Sequence, residues 1–422
     1  MYKAIKTKLY LKSNELSFLL LLMRTSKNLY NEALYNVRQH YFETNQYLSY
    51  EDNYKIISQQ SENYRILNTA QGQAIIRKVD EAMKAFFGSL KAKVKQKVKL
   101  PRYLDKNGYY SLVDRMVYKP NSEYYILPRG NFIKKISKYY EETYNKLQKY
   151  QTSLDEIDSL NIKIKTPKCI SNKVIKEITI KQKYDGKYIE VIHTYVHEKE
   201  PIIDLKLKTE TMAIDFGYNN LAMCALSNGN HLLIDGFKLK SMNQNYHKKI
   251  SKLSSLRPSQ TILTRRMIKV VEKRNHQMDY GIHKAAKLII EHALKQQVKE
   301  IILGYNEGFK DIFLSNVYNQ WSKSIPIARL RDRILYLAKE VGILTKVINE
   351  AYTSRASYID QDEIRNDTFS GERIKRGLYK SFHHILINAD LNAALNILRK
   401  GNPDAIWIGS RGWNTPKRTY LF

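Results

Sequence analysis

Three acidic residues stand at positions where a carboxylate commonly meets a ligand. Asp215 follows the apolar run TMAI, Glu350 ends the run ILTKVINE, and Asp390 opens the helix-like run DLNAALNIL. Each has an ordinary explanation when taken alone. An Asp-x-Gly sequence fits a β-turn, and an acid in a first helical turn complements the helix dipole.

Together, these acids would form a site for phosphodiester chemistry. Three carboxylates in one pocket repel one another unless cations neutralise them. Carboxylate and water oxygens suit Mg²⁺ or Mn²⁺, and two such ions can activate a water and stabilise a leaving 3′ oxygen. No Ser/His/Asp or Cys/His arrangement competes with this interpretation. We therefore expect Mg²⁺ or Mn²⁺ as the cofactor, as two ions.

Strand patterns place two of the acids. Residues 211–236 predict a strand, a hairpin and a returning strand, with Asp215 near the end of the first. Residues 298–350 predict a strand, an amphipathic helix and a further strand, which is a βαβ unit. Ligands gather at the carboxyl ends of such strands. Glu350 lies at one of these ends, and Glu307 just beyond the other is the second choice.

The charge of the chain predicts a polyanionic partner. Lys and Arg number 71 against 41 Asp and Glu, a net charge of +30 over 422 residues. Nucleic acid is the expected polyanion. The alternative is a basic protein from a lysine-rich, AT-biased genome, a bias that the 32 tyrosines also fit. Tyrosine rings also stack on unpaired bases, and composition does not separate the two explanations.

Cysteine content and hydropathy exclude several classes. Cys169 and Cys224 are the only cysteines, which excludes a disulfide framework and a four-cysteine zinc site. No apolar run reaches the roughly eighteen residues of a membrane span, and the start lacks a signal-peptide pattern. We expect a cytoplasmic protein of the prokaryotic cytosol or nucleoid, with no membrane partner. Its oligomeric state is not predicted.

Basic segments recur along the chain. Helical patterns over residues 13–38 and 69–90 carry basic side chains, lysines alternate over 91–99, and residues 239–298 form a strongly basic helical region. Such segments suit a phosphate backbone. Helical core packing explains the first two patterns equally well, and a solvated edge explains the lysine run.

Several motifs resemble the transposon-encoded TnpB family, relatives of the miniature type V CRISPR effector nucleases. The resemblance covers nearly the whole chain, and its last two motifs are the most specific. The motifs are residues 30–34 (YNEAL), 70–87, 100–103 (LPRY), 213–217 (AIDFG), 283–284 (HK), 304–306 (GYN), 352–357 (YTSRAS) and 388–394 (NADLNAA).

The resemblance implies an α/β multidomain fold. It comprises an RNase H-like (RuvC) nuclease domain, a β-barrel-like wedge domain and an α-helical recognition lobe. The expected boundaries are 1–12 and 100–208 for the wedge domain, 13–99 for the recognition lobe, 209–351 and 386–422 for the RuvC domain, and 352–385 for an insert in place of a zinc ribbon.

The same resemblance implies the activity and the partners. Members are RNA-guided DNA endonucleases that pair a structured guide RNA with double-stranded target DNA beside a short adjacent motif. Their fold would bring Asp215, Glu350 and Asp390 to one edge as catalytic, metal-binding residues. The side chains expected at nucleic acid are Lys27, Asn31, Arg77, Lys78, Lys84, Lys93, Lys95, Lys97, Arg102, Arg265, Arg266, Arg274, Arg355, Arg373, Lys375 and Arg376.

Two departures from the family pattern matter. Most members carry a catalytic glutamate where this chain has Gly304, so Glu350 is the expected substitute. Most also carry a four-cysteine zinc ribbon, whereas residues 355–386 contain no cysteine. We expect no zinc, because His383 and His384 are too few, and we expect the acids of residues 360–363 to form a solvated loop.

Three alternatives stay open at this stage. The chain could be a miniature CRISPR effector with the same chemistry. It could be a nuclease-inactive, RNA-guided repressor or transposition regulator if neither Glu350 nor Glu307 serves. It could also be a DNA-binding transposase that works without RNA.

Overall fold

The computed structural model describes two compact units, Met1–Glu198 and Lys199–Phe422. The predicted contacts Lys93, Lys95 and Lys97 and the second-choice acid Glu307 fall outside the described residues. Those residues are 2–91, 98–115, 122–128, 161–184, 186–197, 209–256, 263–306, 325–365, 368–405 and 416–422.

The first unit contains a four-stranded antiparallel sheet in the order β1-β6-β5-β2 and a separate pair, β3 with β4. In β1, Lys6 and Lys8 are exposed while Ile5 and Leu9 pack inward, as the alternating sequence predicts. The strands are β1 (Tyr2–Leu9), β2 (Leu112–Asp114), β3 (Tyr124–Ile126), β4 (Lys163–Lys165), β5 (Ile175–Lys183) and β6 (Tyr188–Val196).

Four helices complete the described part of the first unit. Leucines at helical spacing on α1, including Leu19, Leu22 and Leu29, are fully buried against the apolar face of α4. Ser49 and Ser61 cap the two short helices by accepting backbone N–H bonds. The helices are α1 (Ser13–Thr44), α2 (Tyr50–Gln60), α3 (Glu62–Ile66) and α4 (Thr69–Lys91).

Two residues predicted to touch nucleic acid instead hold the first unit together. Lys27 is buried and donates through Nζ to the carbonyl of Lys106 at 3.0 Å. Asn31 donates through Nδ2 to the carbonyl of Leu104 at 3.0 Å and accepts the N–H of Leu104 at 2.9 Å. We correct both assignments, because these side chains are committed to backbone groups inside the protein.

The second unit is built on a six-stranded sheet in the order β11-β10-β7-β8-β9-β15. Strands β7, β10 and β11 are parallel, β8 is antiparallel to its neighbours β7 and β9, and β15 is parallel to β9. The strands are β7 (Glu210–Phe216), β8 (Asn220–Leu226), β9 (Leu232–Asp235), β10 (Val298–Gly304), β11 (Leu344–Ile348) and β15 (Lys417–Thr419).

Helices cover both faces of this sheet, which is why its central strands are apolar throughout. The helices are α5 (Phe237–Ser255), α6 (Arg265–Lys295), α7 (Ile327–Glu340) and α8 (Ala389–Gly401). On one face α6 and α7 pack against Met212, Ile214 and their neighbours. On the other face α8 packs against Ala213, Leu233 and Ile302. The predicted basic helical region is therefore observed as α5 and α6.

The segment between β11 and α8 contains a small antiparallel sheet in the order β12-β13-β14. Its strands are β12 (Glu372–Lys375), β13 (Leu378–Lys380) and β14 (Leu386–Asn388). Gly377 forms the β12–β13 turn with φ of +91°, a conformation that favours glycine. The buried side chains of Tyr379 and Ile387 join this sheet to the core beneath α8.

The described fold is mixed α/β, as the sequence predicts. No helix among the described residues is both long enough and apolar enough to cross a membrane. The finer division into wedge, recognition and nuclease domains stays a prediction.

Replacing Asn31 tests its structural role. In Asn31→Ala, both backbone groups of Leu104 lose their side-chain partner, so we expect the first unit to lose about 1–3 kcal/mol of unfolding free energy. Chemical denaturation measures this. The control is Arg102→Ala in the same segment, an exposed residue expected to stay within about 0.5 kcal/mol of the parent. Unchanged stability of Asn31→Ala with weakened RNA binding would reverse our correction.

Candidate functional site

The candidate site lies at the carboxyl edge of the six-stranded sheet. Because β7, β10 and β11 are parallel, Asp215, Gly304 and the residues after Ile348 meet at the same edge. Strand β8 runs the other way, so its first residue, Asn220, also lies there. The helix α8 begins over this edge with Asp390.

Asp215 lies within electrostatic reach of the other two predicted acids. Its pKa is raised well above the usual carboxyl value, first by burial and then by the negative charges of Glu350 and Asp390, while Arg373 opposes the rise. Burial also raises the pKa of Glu350. The structure therefore brings together three acids from distant parts of the sequence.

Ile397 fills most of the space that a side chain at position 304 would need, and the carboxylate of Glu350 lies close to it. A Cβ placed on Gly304 would lie 3.2 Å from Oε2 of Glu350 and 2.4 Å from Cδ1 of Ile397. A larger residue at position 304 would collide with α8 and with this carboxylate. The carboxylate of Glu350 thus lies beside Gly304, which it reaches from beyond the neighbouring strand.

Asp390 is held by three neighbours. Asn388 caps α8 by accepting the N–H groups of Asp390 and Leu391 at 3.0 and 3.1 Å. Asn220 donates through Nδ2 to Oδ2 of Asp390 at 2.6 Å. Arg373 contacts Oδ1 at 3.4 Å, a partly exposed ion pair. Both carboxylate oxygens therefore face a donor.

Two buried asparagines of α8 fix the chain that follows Glu350. Asn396 donates to the carbonyls of Thr353 and Ala356 at 3.0 and 2.7 Å, and Asn392 donates to Ala356 at 2.8 Å. Thr353 in turn donates through its hydroxyl to the carbonyl of Glu350 at 2.8 Å. The helix that carries one acid thus anchors the segment that carries another.

The carboxylate oxygens of Asp215, Glu350 and Asp390 suit a hard divalent cation. As they stand, they do not form a complete coordination shell. Within the described ranges, no three His, Cys, Asp or Glu side chains form a group that could hold a metal ion as they stand. Burial first, and then the negative charges of Glu350 and Asp390, raise the pKa of Asp215 here. The contact of Arg373 with Asp390 offsets part of that charge.

Hydrogen bonds hold the insert that follows the site. Asp360 accepts from the Ser357 hydroxyl at 2.6 Å and from the Phe382 N–H at 2.8 Å, linking two distant turns. Asp362 accepts from the N–H groups of Ser357 and Ser370 at 2.7 and 3.2 Å. The expectation of a solvated loop was therefore wrong for these two acids, because both bind backbone donors.

The basic candidates fall into three groups. Arg274 bonds Asn243 at 2.8 Å and joins α5 to α6, which makes it a structural residue. Lys78 and Lys84 form ion pairs within α4, with Glu81 and Asp80. The exposed candidates are Arg77, Arg102, Arg265, Arg266, Arg355, Arg373, Lys375 and Arg376.

A cleft in the first unit combines cations with aromatic rings. It measures about 560 Å³ and lies between the sheet and the helices. Lys78 and Lys181 line it with Tyr109 and Tyr110, and Glu177 contributes one carboxylate. Sequence patterns did not reveal this cleft, because its residues are scattered.

The sequence also missed the residues that position the acids. Asn220 follows Asp215 closely but reads as an ordinary strand start, and only the fold brings it to Asp390. Asn392 and Asn396 are separated by one helical turn within the helix-like run DLNAALNIL, residues 390–398. That spacing was the available signal, since two polar residues on a buried helix face need partners.

A family model described as OrfB_IS605, probable transposase, matches residues 194–310. No curated protein matches the chain in sequence. Among solved structures, the chain resembles the Cas12f1 protein in a cryo-EM structure of the Cas12f1-sgRNA-target DNA complex. Sequence identity is 16%, the TM-score is 0.56, and the match covers 92% of this chain and 82% of that one.

Two further structures resemble the chain too weakly to support an argument. One is a CRISPR-Cas12f ternary complex, at 15% identity and a TM-score of 0.35, and the match covers 91% of this chain and 81% of that one. The other is the mini-RNA-guided endonuclease CRISPR-Cas_phi3, at 10% identity and a TM-score of 0.43, and the match covers 94% of this chain and 92% of that one. The match over residues 194–310 and the fold shared with Cas12f1 confirm the resemblance of this chain to the TnpB family.

Proposed function

We propose that this protein is an RNA-guided DNA endonuclease whose second unit is an RNase H-like, RuvC-type nuclease domain. The observation that carries the proposal is the electrostatic coupling of Asp215 to Glu350 and Asp390 at one sheet edge. Like charges are expensive to collect in a partly buried site, so their convergence favours a role that needs them.

Asp215, Glu350 and Asp390 would hold Mg²⁺ or Mn²⁺, expected as two ions. Bound there, the ions would supply an activated water and charge stabilisation for an in-line phosphodiester displacement. The chain itself sets the direction of the carboxylates. Asn220 orients Asp390, and Thr353 with Asn396 fixes the backbone at Glu350.

Guide RNA and double-stranded target DNA are the proposed partners. The Cas12f1 structure is a complex with both kinds of nucleic acid. In this chain the net charge of +30 supports a polyanionic partner. The basic, tyrosine-lined cleft of the first unit and the exposed arginines of the second offer surfaces for phosphates and bases.

Removal of single acids tests the nuclease assignment. Asp215→Ala, Asp390→Ala and Glu350→Gln should each reduce cleavage of a guide-matched plasmid about a hundredfold or more, because each removes a metal ligand worth several kcal/mol. Target binding should remain near that of the parent. Sequencing the RNA that copurifies with the protein supplies the guide.

Two control variants sharpen this comparison. Glu363→Gln removes an exposed acid of the insert, which pairs with Arg365, and should cut normally. Glu307→Gln tests the second-choice acid. Loss of cutting in Glu307→Gln with full activity in Glu350→Gln would overturn the assignment of Glu350. A parent protein that binds its target but never cuts would identify a nuclease-inactive, guided regulator.

Salt dependence tests whether the positive charge of the protein contributes to its binding of target DNA. Because binding should release many counterions from phosphates, affinity for target DNA should fall about a thousandfold or more between about 50 and 200 mM salt. Fluorescence anisotropy titrations measure this slope. A nearly flat response would contradict the role we give to the positive charge.

The raised pKa of Asp215 predicts a pH-dependent penalty in protein free of divalent cations. A carboxyl whose pKa is higher in the folded than in the unfolded state costs no stability below its unfolded value, near about 3.9. The cost in stability grows as the pH rises from the unfolded pKa to the folded pKa. We therefore expect Asp215→Asn to be as stable as the parent at acidic pH and more stable at neutral pH.

Chemical denaturation in EDTA across this pH range measures the difference. The gain at neutral pH should exceed the roughly 0.5 kcal/mol scatter of neutral surface substitutions. Glu363→Gln again provides the matched control. Lower stability of Asp215→Asn at neutral pH would show that the carboxylate has partners that favour its charged form.

A further inference from the structure

Arg418 lies close to two exposed aromatic rings near the carboxyl end of β9 in the second unit. The guanidinium carbon of Arg418 is 5.8 Å from the ring centre of Phe237 and 5.6 Å from that of Tyr420. Phe237 is 49% exposed and Tyr420 is 64% exposed. Two rings grouped about one guanidinium form a contiguous exposed patch, which indicates a binding surface more than a single exposed ring does.

Phe237, Arg418 and Tyr420 form a layer, and a buried carboxylate holds it in place. Asp235 is 5% exposed, and its Oδ2 accepts from Nε of Arg418 at 3.1 Å. Its Oδ1 accepts the backbone N–H of Phe237 at 2.8 Å. One carboxylate thus fixes both the guanidinium and the start of α5, which leaves the two rings presented to solvent.

The layer lies on the same sheet edge as the acids. Strands β9 and β15 run in the same direction as β7, so Asp235 and Tyr420 lie at the carboxyl edge with Asp215. Asp235 pairs in register with Asn220, which binds Asp390. Strand spacing places β9 about 10 Å from β7.

The layer also lies on the same face of the sheet as the acids. Ala213 and Leu233 both pack beneath α8, and alternation puts Asp215 and Asp235, two residues further on, on that same face. A strand whose phosphate met the acids would therefore bring a neighbouring nucleotide to the rings.

We propose that Phe237, Arg418 and Tyr420 form a stacking platform for unpaired bases of the strand that is cut, an inference that rests on the proposed function. Unpaired bases expose the π-faces that aromatic rings and guanidinium groups bind, whereas paired bases are already stacked. Lys238 is exposed next to Phe237 in the chain and suits a phosphate of that strand. The platform selects a melted strand without reading its sequence.

Binding of single-stranded DNA in EDTA tests the platform without cleavage. The probe is a short oligothymidylate with one 2-aminopurine, whose fluorescence falls when it stacks. With the full chain, we expect Tyr420→Ala and Phe237→Ala each to weaken binding about tenfold and to reduce the quenching. Tyr420→Trp should retain both. Binding of a fully paired duplex should not change in any variant.

The matched control is Tyr35→Ala, which removes an equally exposed ring from α1 in the first unit and should leave quenching intact. Unchanged affinity and quenching in both platform variants would overturn the proposal. So would equal losses for single-stranded and duplex DNA, which would indicate a general structural effect. Asp215→Ala should keep normal quenching, so failure of the nuclease assignment and failure of the platform remain distinguishable.

Discussion

Three carboxylates meet at one partly buried sheet edge of the second unit, and this is the constraint on its candidate site. Burial first, and then the charges of Glu350 and Asp390, raise the pKa of Asp215. Such a cluster persists only where the surrounding structure holds it in place. Here the parallel strands fix one acid, the helix α8 fixes another, and Arg373 supplies a partial counter-charge. Cations are the natural means of neutralising what remains.

At the same edge, Gly304 and Glu350 lie side by side. Gly304 lets α8 approach β10 closely, since a Cβ there would collide with Ile397, and the carboxylate of Glu350 lies beside it from beyond β11. Asn396 and Thr353 hold the backbone there, while Asp360 and Asp362 tie the following insert together by hydrogen bonds. Packing and hydrogen bonding thus hold the described part of the insert together.

Sequence patterns predicted the elements better than the contacts. Strand patterns located β7, β8 and β10, and apolar periodicity located α7 and α8, because both signals are local. Lys27 and Asn31 were assigned to nucleic acid, since a basic or amide side chain on a helix looks the same whether it meets RNA or a backbone carbonyl. Asn220 gave no signal because its partner is 170 residues away in the chain.

The most direct test of the central claim is the crystal structure of the protein soaked in Mn²⁺, with the ions located by anomalous scattering. We predict Mn²⁺ peaks at the carboxyl edge, with oxygens of Asp215 and Asp390 sharing at least one ion at about 2.2 Å and Glu350 completing the set. Peaks that involve neither aspartate, or aspartates too far apart to share an ion, would contradict the account.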